Sequence, residues 1–448
     1  MTKTQISDNK RQLVKLLPQF VTALLVIGIG VVISCTNKTD SYSIIKLNGK
    51  GECYNFSKYW GYMLNPDSSC TTSMLVGKGD LLALGEGGMF FPNSDEKTIN
   101  FEEKPPFFYV NGKITSISIS NDTDLIGWFK QMKPDDISDL KAILFSSEIP
   151  ENYYPYLSKI AHIKPHAGLF FKDKCEIDPE MLKLFSPRYL IGQKLLQKDY
   201  NLLAGFKDLE VLCLGLDDSI INVPLPYLPK LKQVILLPDS KSSIASSFLK
   251  NNSQIEKLTL TADQIDLTFI KSLKNLKECS FVGSKEPTNL DFLKQFEKLE
   301  VLRLVGGNYN NINIVNELPN LRWLALPKNT SQQEFNSIIA NHKNLEVLEI
   351  LECDSVKSFK SLAQLNNLYG LIITQGGDST ILSLKNLKYL SLPKDDFKDG
   401  AKIASLHKSL PGCTIVPNEG FCLGSGWLLL LIPFILIFRL TMRPKDVV

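Results

Sequence analysis

The chain has 448 residues, of which 44% are hydrophobic and 22% charged; the length exceeds what one compact core accommodates, and the composition argues against wholesale disorder. Its 50 basic and 47 acidic residues nearly cancel, leaving a formal charge of +3. With no basic stripe carrying interleaved aromatics, nucleic-acid binding has no support.

The first predicted element spans residues 16–35, an apolar stretch without a charge, preceded by Lys3, Lys10, Arg11 and Lys15. As a helix it is long enough to cross a hydrocarbon core of about 30 Å; the alternative is the apolar part of an export signal. Its end, Val32, Ile33, Ser34 and Cys35, resembles the lipobox of bacterial lipoproteins. That resemblance implies cleavage before Cys35 and lipidation of its thiol. Residues 1–35 are therefore read as a signal anchor or a lipoprotein signal peptide.

Residues 36–111 are rich in turns and short alternating runs, such as Ile44, Ile45 and Leu47, or Leu81 to Leu84 between Gly79 and Gly85. They predict a small β-rich domain that caps the open N-terminal edge of the longer body beginning at residue 112. The 9 cysteines are scattered without close pairs. Cys53 with Cys70, and Cys413 with Cys422, are candidate disulfides if the compartment is oxidising, although spacing leaves open whether their Cβ atoms meet.

From residue 209 onward a pattern of three apolar residues, at positions one, four and six, recurs. It begins at Leu209, Leu231, Ile255, Leu276, Leu299, Leu321, Leu345, Leu368 and Leu387, with successive starts 19 to 24 residues apart. Weaker copies lie upstream, at Leu140 with Ile143 and Phe145, at Gly168 to Phe171 and at Arg188 to Ile191; Ile114 to Ile119 is the candidate first strand and Cys413 to Val416 the candidate last. Here the sequence resembles the leucine-rich-repeat family, whose period is about 20–29 residues. The resemblance implies an α/β fold: a curved solenoid over residues 112–416, with a parallel β-sheet on its concave face. The family carries Asn or Cys eight residues after each start, bonded to the backbone of the next coil. This chain offers Asp217, Asp239, Asp263, Ser284, Gly307, Asn329, Cys353, Gly376 and Asp395 there. Between strands, apolar residues spaced three and four apart predict short helices, as at Phe335, Ile338 and Ile339, or Leu290, Leu293 and Phe296.

After a linker over residues 417–426, residues 421–438 again lack a charge, and Arg439, Arg443 and Lys445 follow. Residues 427–448 are predicted to be a transmembrane helix and basic tail, so that a hydrophobic helix stands at each end. The stretch is also similar to the C-terminal sorting tails of some bacterial surface proteins. Basic flanks outside both segments place both termini in the cytoplasm and the repeat body outside it, in a bacterial cell envelope.

Chemistry-bearing motifs are sparse. His162 and His166 are four apart, but Pro165 lies between them and no glutamate completes a metalloprotease motif. Gly77 to Gly79 and Gly85 to Gly88 lack a phosphate-loop frame, and no nucleophile elbow occurs. No catalytic residue, metal or cofactor is therefore assigned, and the chain is read as not an enzyme. In the repeat, the residues between the leucines line the concave face. Val301, Arg303, Trp323, Val347, Glu349, Tyr369 and Tyr389 form a patch of the composition that dominates binding surfaces. The expected function is recognition of a protein or glycan partner on that face. The alternatives are an envelope structural or assembly protein, or an enzyme with its site in residues 36–111.

Overall fold

The computed structural model describes residues 42–418 except for 51–53, 56–61, 64–68, 78–81, 85–87, 91–96, 105, 121–123, 147–148, 172–178, 193–201, 217–221, 239–243, 262–266, 283–287 and 376–378. Both apolar stretches, with the expected lipidation of Cys35, lie outside the described residues, as do Cys53 and Cys422. Among the described residues no helix is long and apolar enough to cross a membrane.

The N-terminal part is built of short strands: β1 (Tyr42–Lys50), β2 (Tyr54–Asn55), β3 (Tyr62–Met63), β4 (Ser69–Gly77), β5 (Leu82–Leu84), β6 (Gly88–Phe90), β7 (Thr98–Lys104) and β8 (Phe107–Val110). β1 pairs antiparallel with β4 and parallel with β7, and β7 pairs antiparallel with β8. β2, β3, β5 and β6 form a separate small sheet. The larger sheet continues through a tight hairpin into β9 (Lys113–Ile119). Asn111 and Gly112 make the turn at φ 50° and 78°; both central residues of this turn type need positive φ, which Asn and Gly tolerate best.

From β9 the strands stack in sequence order, all parallel: β10 (Ala142–Phe145), β11 (Gly168–Phe171), β12 (Tyr189–Gly192), β13 (Val211–Leu216), β14 (Gln233–Pro238), β15 (Lys257–Thr261) and β16 (Glu278–Val282). A two-residue strand, β17 (Thr288–Asn289), pairs with β19 (Tyr309–Asn310) on the outside of the coils. The main sheet proceeds through β18 (Val301–Val305), β20 (Trp323–Leu326), β21 (Val347–Ile350), β22 (Gly370–Ile373), β23 (Tyr389–Pro393) and β24 (Thr414–Asn418). One strand per repeat, each in register with the next, makes this a leucine-rich-repeat solenoid with a curved parallel sheet.

The registers follow from the apolar pattern. Leu212, Val234, Leu258, Cys279, Leu302, Leu324, Leu348, Leu371, Leu390 and Ile415 are aligned across neighbouring strands. They point to the same side and join one continuous core with the return segments. A slip of one residue would turn every one of them to the other face. Return segments are short. The helix Gln332–Asn341 starts at Ser331, whose Oγ accepts from Glu334 N while Glu334 Oε2 accepts from Ser331 N at 2.8 Å. Where the coil is shorter, as at Asp291–Gln295, the segment tightens into a 3-10 turn that still buries Leu293.

One local expectation is corrected. Asn329 bonds the preceding coil: its Oδ1 accepts from Tyr309 N at 3.2 Å and its Nδ2 donates to Tyr309 O at 2.9 Å. Cys353 likewise reaches Pro327 O of the coil before it, at 3.3 Å. Asp217, Asp239, Asp263, Ser284 and Gly376 lie outside the described residues, while Asp395 pairs with Lys398 at 2.7 Å on the surface. Cys413 is a buried thiol with its Sγ 3.8 Å from Thr414 O, and the expected bridge to Cys422 falls on a residue outside the described ones.

Candidate functional site

The side of the sheet opposite the main core carries two rows of side chains. One runs Val211, Gln233, Lys257, Glu278, Val301, Trp323, Val347, Gly370, Tyr389 and Thr414. The other runs Cys213, Ile235, Thr259, Ser280, Arg303, Ala325, Glu349, Ile372, Ser391 and Val416. Six of the seven residues singled out for partner binding stand in these rows, as the two-residue alternation of a strand requires. Tyr369 stands one residue before its strand.

From the repeat pattern alone this face is expected to meet solvent. The structure corrects that: Trp323 is 4% exposed, Tyr389 3%, Arg303 7%, and Val347 and Glu349 0%; Val301 and Tyr369 are half-buried. The cover is the chain's own β1–β4 pair. Strand alternation turns Tyr42, Ile44 and Leu75 to one side of the pair, where they join the apolar cluster of the concave face. Ile45, Leu47, Met74 and Val76 turn to the other and pack with Ile99, Phe101, Phe108 and Val110. Beneath this cover the sheet of the solenoid is packed on both sides, as buried parallel sheets are.

Contacts around Tyr42 are specific. Its ring meets that of Trp323 edge-on with centroids 5.5 Å apart, and lies tilted 6.0 Å from that of Tyr369. Its hydroxyl bonds the Glu346 carboxylate, and burial raises its pKa above the usual phenol range. The hydroxyl of Tyr389 donates to Ser73 O in β4 at 3.2 Å. Gly370 leaves the room that Leu75 occupies, since a Cβ there would overlap Leu75 Cδ2.

Next to this seat is a buried ionic cluster. Arg303 Nε donates to Glu349 Oε1 at 3.3 Å across the small Ala325, and Trp323 Nε1 donates to the same oxygen at 2.6 Å. Arg303 Nη1 lies 3.5 Å from Ser280 Oγ. Burial holds the guanidinium pKa well below its ordinary value, with Glu278 opposing that shift. A second pair, Lys257 with Glu278 at 2.7 Å, bridges the next two strands, β15 and β16.

The contacts here are aromatic packing, hydrogen bonds and buried ion pairs. Among the described residues no group of three or more His, Cys, Asp or Glu side chains could hold a metal. His162 and His166 are exposed, and His166 Nδ1 lies 2.9 Å from Ser186 O. The thiol of Cys213 is pushed up to about 12 by burial, which makes it a packing group and a poor nucleophile. Tyr42, Ile44, Leu75, Arg322, Glu346 and Gly370 belong to the site without having been singled out from the sequence. For Arg322 and Glu346 the signal that could have found them was the residue before each strand. Arg188, Glu210, Lys232, Glu256, Lys277, Glu300, Arg322 and Glu346 alternate in sign, and Tyr369 breaks the series.

No protein-family model matches the chain. Over 159 residues it is 30% identical to the mouse volume-regulated anion channel subunit LRRC8B, and equally to the human one. These matches take in 34% of this chain, which spans 20% of the length of those relatives. Among solved structures it is similar to an internalin (inlF) of Listeria monocytogenes, with TM-score 0.32 and 15% identity over 67% of this chain and 86% of that one. A leucine-rich-repeat protein of Leptospira interrogans gives TM-score 0.32 and 17% identity over 62% and 90%. The leucine-rich-repeat architecture of the chain itself is carried by its period and its parallel strand registers.

Proposed function

We propose that this chain is a non-catalytic interaction scaffold, tethered to the outer side of a membrane, that takes a protein or glycan partner on the concave face around Trp323. The reading is carried by the seat that Trp323 and Tyr369 form for Tyr42: the face accepts an aromatic side chain from an extended strand. Aromatic and arginine side chains in a desolvated centre are where binding energy concentrates. A partner would take the place of the chain's own strand pair beside Val301, Arg303, Val347, Glu349 and Tyr389. The tether rests on the two charge-free stretches, 16–35 and 421–438, and their basic flanks.

The test is a photo-crosslinking residue in place of Tyr369, in the full chain in membranes. The expected result is covalent adducts to a separate polypeptide or glycan beside an internal link to residues 42–50. Internal links alone under all conditions overturn the reading. They would leave an envelope structural or assembly role, which the complete burial of Val347 and Glu349 favours because it suits a permanent interior.

A further inference from the structure

We propose that the β1–β4 pair is a built-in competitor for the concave face. The ligand it imitates is an extended strand presenting an aromatic hydroxyl and, two residues on, an aliphatic side chain. This rests on the interaction-scaffold reading above and names the partner chemistry.

Three independent departures from the repeat coincide at this seat. The residues before the strands form a hydrogen-bonded ladder, each N–H donating to the carbonyl of the one before. Along it the charges alternate and pair, as in Arg188 with Glu210 at 2.8 Å and Lys277 with Glu256 at 3.0 Å. Glu346 takes Arg322 on one side; on the other, where the alternation calls for a cation, stands Tyr369. The Tyr42 hydroxyl bonds Glu346 at this break. The next residue, Gly370, replaces a side chain with the space that Leu75 fills. In the following repeat Tyr389 donates to the β4 backbone. A surface serving only as interior would need packing alone. This one replaces a charge, removes a side chain and supplies a donor within two adjacent repeats, all toward one two-stranded element.

The pair can lift without unfolding. Its far side keeps a core of its own with β7 and β8, so that leaving the solenoid exposes the concave apolar cluster and not the interior of the N-terminal sheet.

The experiment uses the full chain and a fluorescent synthetic peptide with the sequence of residues 42–50, read by anisotropy. Gly370→Ala unseats Leu75 and leaves the Tyr42 contacts in place. That variant is expected to bind the peptide about tenfold tighter than the wild type, and a peptide carrying Tyr42→Ala is expected to lose that gain. A Gly370→Ala chain with an unchanged circular dichroism spectrum that binds no tighter overturns the proposal. Should the variant unfold, hydrogen exchange of the wild type decides. Amides of β1 exchanging about tenfold faster than those of β20–β22 support a displaceable pair, and equal rates overturn it. A positive peptide result without external crosslinks from Tyr369 removes the outside partner while keeping the seat; the reverse removes the competitor.

Discussion

Asn329 joins two coils with one side chain, accepting from and donating to the backbone of Tyr309. Removing it in Asn329→Ala leaves both backbone groups to solvent, and a net loss of about 0.5–1.5 kcal/mol is expected, read as a lower urea midpoint at unchanged slope. His342 ends the helix Gln332–Asn341 with its Nε2 2.8 Å from Val315 O, and burial lowers its pKa from the ordinary 6.5. The unfolded chain therefore takes up this proton at a higher pH than the folded one. Stability is full above 6.5 and falls as the pH drops from there toward the folded value. The melting temperature is expected to fall between about pH 7.5 and about pH 5.5, and His342→Gln is expected to shrink that fall. Both residues were visible in the sequence. The position-eight rule singled out Asn329, although it pointed to the wrong neighbouring coil. Nothing in the sequence around His342 shows that its ring reaches back to Val315.

At the scale of elements, the ladder before the strands gives each repeat a preferred neighbour. Glu256 and Lys277 are each about a third exposed, so their coupling in a double-mutant cycle is expected to stay below about 1 kcal/mol. Glu256→Lys places like charge between Lys232 and Lys277 and is expected to destabilise the chain at low salt more than at high salt, measured by denaturant titration. The strands and their registers were legible because leucines at fixed spacing must share one face. The return segments were legible as apolar and less so as helix, since a short coil closes more easily as a 3-10 turn. The docking of β1 on the solenoid was not legible. Alternation in residues 42–50 reveals two apolar sides without saying what either meets, and Ser73 and Tyr389 stand 316 residues apart.

At the scale of the molecule, one parallel sheet separates two apolar layers. The outer layer is the ordinary repeat core. The inner one, with Trp323, Val347 and Tyr389, is closed by residues from the N-terminal strands. Each large apolar side chain buried in that inner layer contributes about 1.5–3 kcal/mol, so partner access to the face has to offset the loss of Tyr42, Ile44 and Leu75 from it. The most direct test is oxidative dityrosine coupling of the purified full chain at low concentration, with the linked peptides located by mass spectrometry. Tyr42 and Tyr369, with ring centroids 6.0 Å apart, are expected to couple within one chain. Absence of that internal link, while other neighbouring tyrosines couple, would contradict a concave face closed by its own N-terminal strands.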